Sequence, residues 1–201
     1  QHRLAAVVLA NKPVNFHIAY GVDPANVFVI DTGKTRNAPD AFRIDGIKHD
    51  NIMPSIIQTY KLLKAGYSVN SQLNIKSTNT LLIESYRDRE RFWQAVAGKT
   101  MSWYNAFARI ITPSMIGGTY ALLFDKSEED AESFFNQLAT GLDIQHNAIG
   151  LLRQKLMQDK MSPRKMPTTL KYALILKAWN YFRDKDKERE KIKILKFDIC
   201  F

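Results

Sequence analysis

Along most of the chain apolar residues recur at helical intervals, as in the stripe Tyr172, Leu176, Trp179 and Phe182. Start and stop signals divide these segments. Asn37 precedes "APDAFRIDG", with Asp40 placed to return a carboxylate to the cap. Asp50 or Asn51 opens "IMPSIIQTYKLLKAG", which Gly66 stops. Ser77 or Thr78 precedes "NTLLIESYRDRERFWQAVAG", with a break expected between Arg87 and Glu90. "SWYNAFARII" leads through Thr112-Pro113 into "SMIGGTYALLF", and Ser127 opens "EEDAESFFNQLATG", closed by Gly141. "NAIGLLRQKLMQD" and "TTLKYALILKAWNYFRD" follow. Near the start, "LAAVVLA" is a helix former, and Asp23-Pro24 starts a short helix.

Two segments break the helical period. "VNFHIAY", Val14 to Tyr20, alternates apolar and polar residues after Pro13 and predicts a strand. "KIKILKFDICF" at the other end alternates with a slip at Ile194-Leu195, the mark of a bulge, and is its expected partner. The fold class expected is α+β, predominantly helical: a multi-helix bundle with a small β element near the termini.

Sparse Gly and Pro agree with a helical core. The single cysteine, Cys200, excludes an internal disulfide and fits a cytoplasmic setting. No apolar run reaches the roughly 18 to 20 residues of a membrane span, so no membrane partner is expected. The net charge of +9 is concentrated late: Lys160 to Lys196 hold twelve Lys/Arg against four carboxylates. A tail of that kind attracts nucleic acid or acidic membrane surfaces. Its interleaved stretch "RDKDKEREK" equally fits a solvated helix end. Asp125, Glu128, Glu129, Asp130 and Glu132 form an opposing acidic patch.

"VFVIDTGKTRN", residues 27 to 37, imitates two active sites. A P-loop needs glycine five positions before its G-K-T glycine, and Phe28 stands there. An aspartic protease needs a second such aspartate on a mostly β scaffold, which one D-T-G in a helical chain does not supply. What remains is a helix-to-helix turn with Gly33 free to adopt positive φ and Asp31 able to bind following N–H groups. Lys34 and Arg36 stand before the Asn37 helix, where a phosphate would meet two cations and a helix end. The alternative is a turn whose charges face water or pair with Asp31.

Gln1-His2-Arg3 opens the chain. Arg3 offers a bidentate fork to phosphate, His2 can donate to the same anion, and Gln1 suits a base or sugar. As a frayed helix start, the same residues would do nothing. "QHRLAAVV" resembles the second half of the D-G-Q-H-R-L-x-A box of the ParB/sulfiredoxin superfamily, in which a loop and a helix N-terminus hold a phosphate-bearing ligand. The whole chain further resembles uncharacterised phage and prophage proteins carrying that box, through "DTGKTRNAPDAF", Thr78, Asn79 and Tyr86, "FFNQLATG" and "LKAWNYFR". The resemblance implies that residues 1–36 are a remnant of a ParB-like N-terminal domain, truncated upstream of Gln1, and that 37–201 are a helical domain with a C-terminal strand. Sulfiredoxin chemistry is disfavoured, because Gln1 stands where that box has cysteine.

The histidines at 17, 49 and 146 lack i, i+4 ligand spacing, so no metal site is expected. Trp93, Trp103, Tyr104, Phe107, Phe134 and Phe135 have the spacing and neighbours of core rather than of base-stacking residues. Lys171, Lys177 and Arg183, continuing into Lys185 and Lys187, are the expected contacts to a nucleic-acid backbone. The expected function is nucleic-acid or nucleotide association, through a phosphate site made by Gln1, His2 and Arg3 and by Lys34 and Arg36. A nucleotide is the candidate cofactor. The alternatives are a nuclease or nucleotide hydrolase, and a non-catalytic module that assembles as a homo-oligomer.

Overall fold

Side-chain caps start several helices where the sequence places them. Asn37 Oδ1 accepts the Asp40 N–H at 3.0 Å, and Thr78 Oγ1 accepts Leu81 N–H at 3.3 Å. Thr112 Oγ1 accepts Met115 N–H at 3.3 Å, and Ser127 Oγ accepts Asp130 N–H at 3.4 Å. Each satisfies one of the N–H groups that a helix start leaves open. A computed structural model describes residues 2–18, 20–21, 37–66 and 77–184. The chain divides into two compact units, Gln1–Arg36 and Asn37–Phe201.

In the first unit, α1 spans His2–Ala10 and ends at Asn11, whose φ is +48°. The described residues of the Val14 to Tyr20 segment, 14–18 and 20, do not form the expected strand. Val14, Phe16, Ile18 and Tyr20 are 48–88% exposed. Alternation alone makes no strand: it needs a neighbour to pair its backbone and cover its apolar face, and the described residues supply none. The expected partner at 191–201 lies outside the described residues, as do the Asp23-Pro24 helix and the Asp31 to Arg36 turn. What is shown is a helical protein, without the β element among the described residues.

The second unit contains α2 (Ala38–Ile44), α3 (Met53–Lys64), α4 (Asn79–Arg87), α5 (Glu90–Ala106), α6 (Pro113–Phe124), α7 (Glu128–Thr140), α8 (Asn147–Met161) and α9 (Thr168–Arg183). Two start signals act differently from expectation. The Asp40 carboxylate leans on Arg43 at 3.7 Å instead of returning to its cap. α3 begins after Ile52, not at Asp50 or Asn51, because His49 takes φ +59° and Asp50 is drawn to Arg43 at 2.6 Å. The break between α4 and α5 falls at Asp88 and Arg89, where Arg89 leaves helical geometry at φ −141°, ψ 44°.

α6 is the central rod, packed against α3, α5, α7 and α9. Its Gly117 and Gly118 let neighbouring helices come closer than any Cβ permits. A Cβ on Gly118 would stand 2.4 Å from Thr59 Cγ2 on α3; one on Gly117 would stand 2.7 Å from Thr100 Oγ1 on α5 and 2.8 Å from Ile56 on α3. Around this contact the aromatics form an internal chain. Trp103 meets Tyr120 and Phe135 at ring separations of 4.8 and 5.3 Å, Phe135 meets Phe134 at 5.4 Å, and Phe134 meets Trp179 at 5.6 Å. Such pairs add about 0.5–1.5 kcal/mol each beyond area burial. Trp93, Trp103, Phe107, Phe134 and Phe135 are therefore core, while Tyr104 is half-buried beneath the Arg109 guanidinium.

Glycine in a helix ordinarily costs about 1 kcal/mol relative to alanine. Gly98 has no atom in the way of a Cβ, so Gly98→Ala is expected to stabilise by about 0.5–1 kcal/mol in urea unfolding. Gly118→Ala forfeits that gain to a clash with α3 and should destabilise by about 1–3 kcal/mol net. Stabilisation by both substitutions would refute the close approach of α3 and α6.

Candidate functional site

α8 and α9 pack against each other and are joined by the short segment 162–167. His146 caps α8, its Nδ1 accepting the Ala148 N–H at 3.1 Å. Pro167 stands at the N-cap of α9, and the Ser162 hydroxyl donates to the Arg164 carbonyl at 2.9 Å, folding the connection tightly. The pair is fastened at this end by Asp159, whose side chain is 4% exposed. Lys171 Nζ, itself 17% exposed, meets its Oδ2 at 2.6 Å, and the Met166 N–H donates to its Oδ1. Burial pushes this carboxyl up, but the Lys171 ammonium and the Met166 N–H outweigh it, so its pKa lies below the usual value. In the last turn of α8 a carboxylate faces the unfavourable end of the helix dipole; the two donors supplied from 166 and 171 offset that cost.

The consequence is electrostatic. From Asn147 to Arg183 the chain carries eight Lys/Arg and one carboxylate, Asp159. That one negative charge is buried and already matched by Lys171. Around it Lys155, Lys160, Arg164 and Lys165 are all exposed. Lys165 donates to the carbonyls of Asp159 at 3.1 Å and Lys160 at 2.5 Å, and Lys160 reaches the Arg109 carbonyl at 3.5 Å. Carbonyl partners orient these ammonium groups without cancelling their charge. Lys155 and Arg164 form no ion pair among the described residues. Both line an open depression of about 270 Å³, together with Gln158, Asp159, Ser162 and Met166. Lys155, Gln158 and Ser162 stand at i, i+3 and i+7, along one helical face.

The residues expected from sequence are distributed as follows. His2 and Arg3 are the first two residues of α1; their side chains lie outside the described residues, as do Gln1, Lys34, Arg36, Lys185 and Lys187. Lys171 is committed to Asp159. Arg183 lies over the Trp179 ring and meets Asp130 of α7 at 3.2 Å. Lys177 Nζ stands 6.0 Å from the Tyr181 ring centre. Lys155, Lys160, Arg164 and Lys165 were not singled out, although the absence of any other carboxylate between Asn147 and Arg183 was visible in the sequence.

Two further polar clusters tie helices together. Asp125, at the end of α6, accepts from Tyr60 at 2.6 Å and meets Arg89 at 3.1 Å and Lys64 at 3.5 Å. Burial pushes the Asp125 carboxyl up, yet Tyr60, Arg89 and Lys64 hold it below the ordinary range. Tyr60 is raised by burial and by Asp125. Lys99 pairs with Glu132 beside Tyr120, which burial and the Glu128 charge push up to about 12. A phenol that keeps its proton and a carboxylate that stays ionised brace the bundle; neither is poised for proton transfer at neutral pH.

Arg153 closes α7 from below, donating to the Leu138 carbonyl and to the Ala139 carbonyl at 2.8 Å. Gly141 at φ +74° leaves room for it, since a Cβ there would meet Arg153 Nε at 2.8 Å. This ties the middle of α8 to the end of α7 and thereby supports the basic face. No helix among the described residues is long and apolar enough to cross a membrane. In comparisons with protein-family models, curated proteins and solved structures, nothing matches this chain.

Removing one partner of a buried ion pair leaves the other charge uncompensated. Lys171→Met is expected to cost about 3 kcal/mol at pH 7 by urea unfolding, and Asp159→Asn added to it should recover part of that loss. Asp159 also sets a pH dependence. A depressed folded pKa contributes stability that is fully present above the unfolded value, about 4, and is lost as pH falls through the folded value. Asp159→Asn should flatten the stability profile below about pH 4; an unchanged profile would place the carboxylate in water.

Proposed function

We propose that this protein associates with nucleic acid through the phosphodiester backbone, using the α8–α9 face. The observation that carries the reading is the charge arrangement: four exposed cations surround a carboxylate that burial and Lys171 have removed from the surface. A polyanion approaching this face meets no exposed acid between Asn147 and Arg183. Contacts of this type fix position on the strand without reading sequence. Under the same proposal, Gln1, His2 and Arg3, with Lys34 and Arg36, form a second phosphate-holding element of the kind that the ParB-like resemblance implies. Lys177, Lys185 and Lys187 are further backbone contacts under the same proposal. Lys171 serves the face indirectly, as the partner of Asp159.

Four phosphate contacts give a logarithmic salt slope of about −3 to −4 on duplex DNA, roughly a hundredfold loss of affinity between about 50 and 200 mM salt. Fluorescence anisotropy with a short labelled duplex checks this. Lys155→Glu with Arg164→Glu should abolish binding at the lower salt while circular dichroism stays helical. Absence of binding by the parent chain there, or binding indifferent to the reversal, contradicts the proposal.

A further inference from the structure

The depression lined by Lys155 and Arg164 adds something that a flat basic face would not have. We infer that it seats one nucleotide of a single strand, so that the protein prefers unpaired nucleic acid to duplex; this rests on the backbone-binding reading above. Its volume of about 270 Å³ falls just below the roughly 300–1,000 Å³ of drug-sized ligand sites. That leaves generous room around a lone phosphate and suits a base, sugar and phosphate together.

The lining is arranged for the same occupant. Lys155 on α8 and Arg164 on the connecting segment both line the depression and are the phosphate partners. Gln158 offers an amide with both donors and acceptors, suited to the hydrogen-bonding edge of an unpaired base. Met166 supplies a polarisable thioether against which a flat ring can lie. Asp159 borders the depression with both carboxylate oxygens engaged, by Lys171 and by the Met166 N–H, so it does not repel the phosphate. A duplex keeps its bases stacked inside and offers a convex row of phosphates. It touches the rim cations and leaves the depression unused, whereas a single strand can turn one base into it.

The test uses the full chain, a labelled 12-nucleotide single strand, the corresponding duplex, and unlabelled 5′-mononucleotide or inorganic phosphate as competitors, at one fixed salt concentration. The single strand is expected to bind about tenfold tighter than the duplex. Gln158→Ala with Met166→Ala, which alters no charge, should cost the strand about tenfold and leave duplex affinity and salt slope as they were. Gln158→Leu alone provides the same comparison if the double substitution unfolds the chain. Equal affinity for strand and duplex, or a strand affinity untouched by these substitutions, overturns the seating and leaves backbone binding standing. Loss of all binding by the parent chain overturns the backbone reading itself. Competition by mononucleotide as strong as by the strand assigns the depression to free nucleotides and overturns the strand preference; weak competition, with none from phosphate, supports it.

Discussion

The buried contact between Asp159 and Lys171 is the constraint on which the basic α8–α9 face depends. It joins the last turn of α8 to the first turns of α9, and it holds the intervening segment through the Met166 N–H. Two charges taken from water repay little net stability, because desolvation consumes most of their attraction. What the pair gives instead is arrangement. It fixes where the segment 162–167 turns, and it withdraws the one negative charge of the α8–α9 pair from the surface. Lys165 then covers the carbonyl end of α8, Lys160 reaches the Arg109 carbonyl in the segment after α5, and both side chains' charges stay unpaired with acid among the described residues.

Beneath this face the bundle is organised by contact distance more than by polar bonds. Gly117 and Gly118 bring α3 and α5 against α6, and the aromatic chain from Trp103 to Trp179 carries that packing across α7 to α9. The Asp125 cluster joins helix ends and the Lys99–Glu132 pair joins α5 to α7 around the same core. The α8–α9 face is therefore borne on this packed core, with Arg153 and Gly141 fixing the middle of α8 against the end of α7.

Local features of this architecture were legible in the sequence. Asn37, Thr78, Thr112 and Ser127 cap as their residue types dictate, and the stop at Gly141 follows from its positive φ. What depends on distant partners was not legible. Val14 to Tyr20 have the alternation of a strand, yet whether alternation becomes a strand is decided by a neighbour. Lys171 and Arg183 read as free cations on a helix face; the carboxylates that claim them lie 12 residues upstream on α8 and on α7. The cations around the depression were diluted in sequence by a more conspicuous basic tail, and only the folded chain puts Lys155 and Arg164 on one depression.

Amide chemical-shift mapping by NMR, with unlabelled oligonucleotide titrated into the isotopically labelled chain, tests the central claim most directly. The account predicts that the perturbed amides cluster between Lys155 and Lys171 and at Arg109, and that the perturbations fade as salt rises. Perturbations confined to the acidic start of α7 or to α1, with residues 155 to 171 silent at low salt, would contradict it.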